Sequence, residues 1–326
     1  MKRAVSISIG SSKRDKAVEI DLMGERVRLE RIGTDGDVRR AAQLYTELDG
    51  LVDAFGVGGT DLGLRVGEKF YTLHSIQHLV KNVKKTPVVD GNGLKATLER
   101  KVGALLRGPL ASLIPAPTAL VTTAVDRWGL AESAVEAGLD TVFGDLIYSL
   151  GINKPLRTLE QVKLMAALVM PLATRLPFEW VYPVGESQGQ RKPKAVEHFA
   201  RAGVVMGDCH YIYRYMPEDM RGKVVVTNTT TPEDVTTFRA SGVRALVTTT
   251  PVLEGRSFGT NMMEAALVAA AGRREPVDYR RPGGYYEWMA ELVEHLGLAP
   301  QVQELVQCTR SSPRAGRAGR TIHSTR

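Results

Sequence analysis

Four side chains able to do chemistry fall within seven residues in "GDCHYIYRYMP": Asp208, Cys209, His210 and Arg214. An imidazole titrates near neutrality, and a carboxylate beside it can fix its tautomer, so His210 with Asp208 reads as a general acid–base pair. Cys209 would serve as a nucleophile if His210 stabilised its thiolate, with thioester reduction as the chemistry implied. Small packing at a strand end is the alternative for the cysteine, and a structural role is the alternative for the histidine. A second candidate lies in "VVDGNGLKATLER", where Lys95 stands one turn into a helix that follows Asp90. A lysine sheltered in a cleft loses its proton readily and can act as a base, whereas a solvated helix lysine cannot.

The stretch 119–146, "ALVTTAVDRWGLAESAVEAGLDTVFGDL", has the layout of a strand, a turn, a helix and a second strand ending in an acid. A dinucleotide-binding unit shares that layout. Gly129 brings the backbone close at a helix start, where unpaired amides favour an anion. Asp145 follows sixteen residues later, in the place where an acid meets ribose hydroxyls. Asp126 and Trp128 sit poorly in a phosphate turn, and Arg127 can offset Asp126 or simply pair with it. A third candidate, "TTTPVLEGRSFGTNMMEAALVAA", leads a glycine turn into a helix whose start can receive a carboxylate or phosphate.

These residues recur where strands end. Asp126–Gly129, Gly144–Asp145, Gly207–His210, Thr227–Thr229, Thr248–Pro251, Gly56–Asp61 and Asp90–Gly93 all follow short apolar runs. Open parallel sheets bind ligands beyond the carboxyl ends of their strands, so the pattern predicts a ligand-binding rim. Strands alternating with amphipathic helices predict an α/β fold: an N-terminal α/β substrate-type domain and a doubly wound, Rossmann-like parallel sheet. The expected boundaries are 1–108 for the first domain and 109–118 for a proline-rich linker. The dinucleotide-type domain follows at 119–275, a C-terminal helix packing back at 276–305, and a disordered basic tail at 306–326. Asp37 or Asp35, Thr158 with Gln161, and Thr231-Pro232 mark three helix starts. A second amphipathic helix is expected over residues 71–85, with Leu73, Ile76, Leu79, Val80 and Val83 inward.

Composition narrows the function. At 326 residues, 43% hydrophobic and 24% charged, the chain can bury a substantial core. Its net charge of +7 falls to +2 once the five arginines of the last seventeen residues are set aside. No specific nucleic-acid partner is expected of the body. The mostly apolar run 162–172 is too short to span a bilayer, so no membrane partner is expected. Cys209 and Cys308 make no metal spacing, and His74 with His78 lack a neighbouring acid, so no metal is expected. A reduced cytoplasmic setting is the simplest inference. A homodimer is compatible with the sequence and carries no signal in it.

The order of domains, with the runs "DAFGVGGTDL", "TPVVDGNGLKATLER", "GDLIYSLGI", "RLPFEWVYP", "GKVVVTNT" and "VTTTPVLEGRSFGTN", resembles the predicted quinate 5-dehydrogenase group. That group is distantly similar to the quinate/shikimate 5-dehydrogenase superfamily. The resemblance implies an NAD- or NADP-dependent oxidoreductase acting on a small polyol or hydroxy acid, with a Lys–Asp pair handling the proton. Lys95 and Asp90 would be that pair, with His210 and Asp208 as further catalytic candidates. The cofactor would contact Asp126, Arg127, Trp128, Gly129, Gly144, Asp145, Thr227, Asn228, Thr229 and Thr250. Asp145 leans to NAD because a carboxylate repels a 2′-phosphate. The substrate would meet Ser8, Gly59, Asp61, Asn92, Arg256, Ser257, Thr260 and Asn261. Three departures stand out: the Asn-Val-Thr-x-Pro-x-Lys context is absent, Ala266 replaces an expected glutamine, and the glycine-rich turn is degenerate. The alternative is a non-catalytic ligand-binding or regulatory protein on a dehydrogenase-like scaffold.

Overall fold

The computed structural model describes residues 1–176, 191–250, 252–253, 256–281 and 283–305. Its first sheet forms from β1 (Lys2–Ser8), β2 (Lys16–Leu22), β3 (Glu25–Gly33), β4 (Ala54–Gly58) and β7 (Val88–Val89). The order is β2-β3-β1-β4-β7, parallel except for β2, which pairs antiparallel with β3. A hairpin of β5 (Gly63–Val66) and β6 (Lys69–Thr72) stands beside it. Helix α1 (Val38–Leu48) starts where Asp37 accepts from Arg40 N, the expected cap. It covers one face of the sheet with Ala41, Leu44 and Tyr45. The buried Tyr45 hydroxyl donates to Ile7 O and Gly56 O, both at 3.1 Å, which satisfies it in the core.

The expected long helix over 71–85 is only α2 (His74–Gln77), one turn continued by tighter turns. Asp49 marks where those turns end. Its carboxylate accepts from Lys84 N, Lys85 N and Thr86 N at 2.8–3.2 Å and draws those amides out of any helix. Helix α3 (Asn92–Arg107) then leads toward the second sheet.

The second sheet contains β8 (Thr118–Val121), β9 (Asp140–Phe143), β10 (Val204–Met206), β11 (Val224–Thr227), β12 (Ala245–Thr248) and β15 (Gln301–Glu304). Its order is β15-β12-β11-β10-β8-β9; β15 is antiparallel and the others run parallel. Alternation along each strand fills two cores. Val224, Val226, Val204 and Met206 face α4 (Trp128–Glu136) and α5 (Leu159–Ala173). Val225, Val205 and Leu246 face α6 (Val196–Arg201), α7 (Cys209–Tyr215) and α8 (Pro232–Ala240). The α5 and α8 starts follow the sequence: Thr158 accepts from Gln161 N, and Thr231 with Asp234 forms a full capping box ahead of Pro232.

The chain then recrosses, and here the expected boundary at 275 fails. After the short pair β13 (Val252–Leu253) and β14 (Arg256–Ser257), helix α9 (Thr260–Ala270) packs on the first sheet, not the second. Every residue from Met262 to Ala270 is buried, as a helix apolar on all sides requires. Helix α10 (Tyr285–His295) packs beside it, and β15 returns to the edge of the second sheet. The segment 276–305 is thus a helix and a strand, shared between both sheets.

The fully buried Glu264 on α9 locks this crossing. It accepts from Tyr279 Oη at 2.5 Å, Tyr285 Oη at 2.7 Å and Leu94 N at 2.9 Å. Burial pushes its carboxyl up to about 7, because desolvation outweighs the three donors. With the folded value above the unfolded one, the fold is favoured while the group is protonated and loses stability as pH rises from 4.5 through 7. Urea denaturation at pH 5 and pH 7.5 is expected to show that loss in the wild type and a smaller one in Glu264→Gln. Equal pH slopes would show that Glu264 does not titrate in the fold.

Candidate functional site

Residues just past the carboxyl ends of strands from both sheets come together in one polar cluster, at the strand ends where parallel sheets hold ligands. A circuit of polar contacts runs around it. Lys95, on α3, donates to Asp61 Oδ1 at 2.8 Å and lies 3.6 Å from Asp126 Oδ1. Arg127 Nε is 3.1 Å from Asp126 Oδ2, and Arg127 Nη2 donates to Asp208 Oδ2 at 2.8 Å. Asn228 Nδ2 donates to the same Asp208 oxygen at 2.9 Å, and Thr250 N donates to Asn228 O at 3.1 Å. Thr250 Oγ1 and Thr260 Oγ1 are 3.0 Å apart, and the next residue, Asn261, donates from Nδ2 to Ser6 Oγ at 2.6 Å. Strand β1 carries the circuit from Ser6 to Ser8, which pairs with Gly58 three residues before Asp61. The side chains of Lys95, Asp61, Asp208 and Asp126 keep between 11% and 26% of their surface exposed, so a ligand can reach them.

The charges do not balance. Lys95 and Arg127 stand among five carboxylates: Asp61, Asp90, Glu99, Asp126 and Asp208. Burial would lower the Lys95 ammonium, but Asp61 and Asp126 outweigh it and raise it, so Lys95 is a cation and not a free base. Burial pushes Asp61 up to about 6 and Glu99 up to about 7, against the pull of Lys95 and Arg127. For Asp208, Arg127 and His210 overcome burial and hold the carboxyl below its usual range. Burial thus holds both Asp61 and Glu99 above the usual carboxylate range.

Several expected roles change. Lys95 pairs with Asp61, not Asp90; Asp90 instead accepts from Leu62 N, Asn92 N and Asn92 Nδ2 at 2.7–3.0 Å and ties the loop to the start of α3. Asp208 caps α7 by accepting from His210 N at 2.9 Å, while the exposed His210 ring makes no hydrogen bond or ion pair to Asp208. Cys209 is buried and burial pushes its thiol far up, which removes the thiolate a nucleophile needs. Ser8 is buried and accepts from Gly10 N and Arg31 Nη2 instead of facing the cleft. Gly59, at φ +78°, supplies the left-handed turn that a side chain would strain. Asn92 donates to Gly63 O and Asp90. Thr229 is half-buried at the rim, with Thr227 buried beneath it. Arg256 and Ser257 lie on β14, with side chains outside the described residues.

The proposed cofactor turn has its own occupant. Asp145 accepts from Ala124 N at 3.1 Å and Val125 N at 2.9 Å, so the polarised amides past β8 already hold a carboxylate. Burial pushes that carboxyl up to about 6. It is 3% exposed and faces its own chain, not a ribose. Trp128 is 6% exposed and belongs to the core. Gly144 is dictated by packing, since a Cβ there would lie 2.4 Å from the Tyr148 ring. Gly129 has the same kind of reason: a Cβ would sit 2.7 Å from Glu99 Cβ, where α4 crosses α3. Arg127 is held by Glu99, Asp126 and Asp208 together. These residues do not fit a dinucleotide diphosphate. Among the described residues no cluster of three or more His, Cys, Asp or Glu side chains suits a metal ion, and no helix is long and apolar enough to cross a membrane.

Glu99 and Glu264 escaped the sequence reading. Glu99 sits one helical turn beyond Lys95 on the same face, and Glu264 is the lone charge in "TNMMEAALVAA". Those were the available signals.

Residues 93–305 match the family model described as "Domain of unknown function (DUF8754)", and residues 3–90 match "Domain of unknown function (DUF8753)". No curated protein matches the chain. Among solved structures, a Mycobacterium smegmatis protein is 14% identical, with a TM-score of 0.34 over 94% of this chain and 91% of that one. A Mycobacterium smegmatis structure in complex with β-D-fucofuranose is 13% identical, with a TM-score of 0.32 over 85% and 88%. A galactofuranose binding protein is 13% identical, with a TM-score of 0.35 over 90% and 99%.

Gly129→Ala is expected to lower stability by about 1–3 kcal/mol through overpacking of α3 against α4, measured by thermal and urea unfolding. Unchanged stability would return this glycine to a ligand-binding role.

Proposed function

The chain belongs to the family described as a domain of unknown function, DUF8754, and from the chemistry of its cleft we propose that it binds a small, uncharged, polyhydroxylated molecule as a ligand-binding or regulatory protein. One observation carries this reading: both cations of the circuit, Lys95 and Arg127, are already paired with carboxylates of the chain itself. A phosphate would need a cation or a set of amides to itself, and it would enter a field dominated by carboxylates.

A hydroxyl group suits such a site. It donates to Asp61, Asp126 or Asp208 and accepts from Lys95, Asn228 or Asn261, so no buried partner is left unmatched. The ligand is thus a small neutral polyol or sugar. Titration calorimetry with a panel of neutral sugars and cyclic polyols is expected to find saturable binding, weakened at least tenfold by Asp126→Asn. NADH and NADPH are expected to show no saturable fluorescence enhancement. Saturable dinucleotide binding without any polyol binding would overturn the proposal.

A second reading, a proton-transferring enzyme acting on the same ligand, draws on the Lys95–Asp61 pair. In its ionised form the Asp61 carboxylate can take up a proton lost by the ligand and later return it, and the Lys95 ammonium beside it can stabilise the negative charge left on the ligand meanwhile. Under this reading Asp61→Asn abolishes turnover and leaves ligand affinity within a few-fold; under the binding reading no turnover exists to lose.

A further inference from the structure

Helix α5 is apolar on both of its faces. Val162, Ala166 and Met170 face the core. On the opposite face Leu164 is 62% exposed, Leu168 69%, Leu172 73% and, just past the helix, Leu176 40%. The four leucines recur every fourth residue and so lie along one line of the helix. Exposed Ala167 and Pro171 lie alongside them, and their small side chains let another backbone come close. Soluble monomers rarely leave a contiguous apolar stripe of this kind uncovered.

We propose that this stripe is covered by the same stripe of a second copy of the chain, in an antiparallel helix pair whose two-fold axis passes through Leu168. The charges at its ends choose the occupant and the direction. Glu160 stands at one end with 79% of its side chain exposed and Lys163 3.9 Å away as its ion pair among the described residues, and exposed Arg175 stands at the other. An antiparallel pair sets Leu164 against the partner's Leu172, and Glu160 beside the partner's Arg175 at both ends. It also opposes the two helix dipoles. A parallel pair would set Glu160 against Glu160 and Arg175 against Arg175. The interface is isologous, the commonest form of closed assembly.

Size sets the expected strength. The fourteen helical residues from Glu160 to Ala173 span about 21 Å. That contact is smaller than the roughly 800 Å² per partner of a standard interface, so dissociation is expected in the micromolar range. The end charges contribute direction more than affinity.

Sedimentation velocity of the full chain across the micromolar range tests this. The wild type is expected to pass from monomer to dimer with concentration, and Leu168→Glu is expected to stay monomeric with an unchanged circular-dichroism spectrum. Should Leu168→Glu fail to fold, the charge variants decide. Glu160→Arg weakens the dimer several-fold, and Glu160→Arg combined with Arg175→Glu restores it. A wild type monomeric throughout overturns the proposal. Dimerisation unaffected by Leu168→Glu or by the charge variants overturns it equally.

Discussion

A guanidinium buried among three carboxylates holds the two halves of this molecule in register. Arg127 leaves the turn after the first strand of the second sheet, reaches Glu99 on the helix that joins the halves, and meets Asp126 and Asp208 at the rim. A charge so buried persists only when it is paired, and removing one partner of such a set typically costs about 3–5 kcal/mol. Three partners leave Arg127 no freedom to rotate. The helix α3, the turn at 122–127 and the cap of α7 are therefore fixed relative to one another by one side chain. The cleft inherits its shape from that constraint.

The same constraint sets the chemistry of the cleft. Nature could have left Arg127 free to bind an anion; here it is already neutralised by the protein's own acids. What remains there is an excess of carboxylates, two of which burial pushes up, and a set of amides and hydroxyls already oriented by one another. The proposed recognition of hydroxyl groups rests on that surface, which would read them by direction more than by charge. The amide turn that would otherwise invite a diphosphate is closed by Asp145, a substitution of an internal carboxylate for an external one.

The recrossing of α9 gives the architecture its second lock. Because this helix leaves the second sheet and buries nine consecutive residues on the first, the halves cannot separate without exposing them. Glu264 at its centre gathers donors from α3 and from the segment that leads into α10, so the crossing is satisfied in hydrogen bonds as well as in packing. Asn261 at its start reaches Ser6, which brings the lock to the edge of the cleft.

Much of the scaffold was legible in the sequence. Asp37, Thr158 and Thr231-Pro232 announced their helices because a cap is a local hydrogen bond, made within a few residues. The alternation of apolar runs with amphipathic segments gave the α/β class, and the polar residues after those runs marked the rim, since parallel strands present their ends together. The partners on the rim were decided elsewhere. Lys95 selects Asp61 over Asp90, Gly129 answers to Glu99, and Asp145 answers to the amides of Ala124 and Val125. Each of these pairs joins residues twenty or more positions apart. Residue type and spacing can say that a carboxylate will stand at a strand end. Which donor it meets there depends on how two sheets and a crossing helix close around it, and only the tertiary structure holds that information.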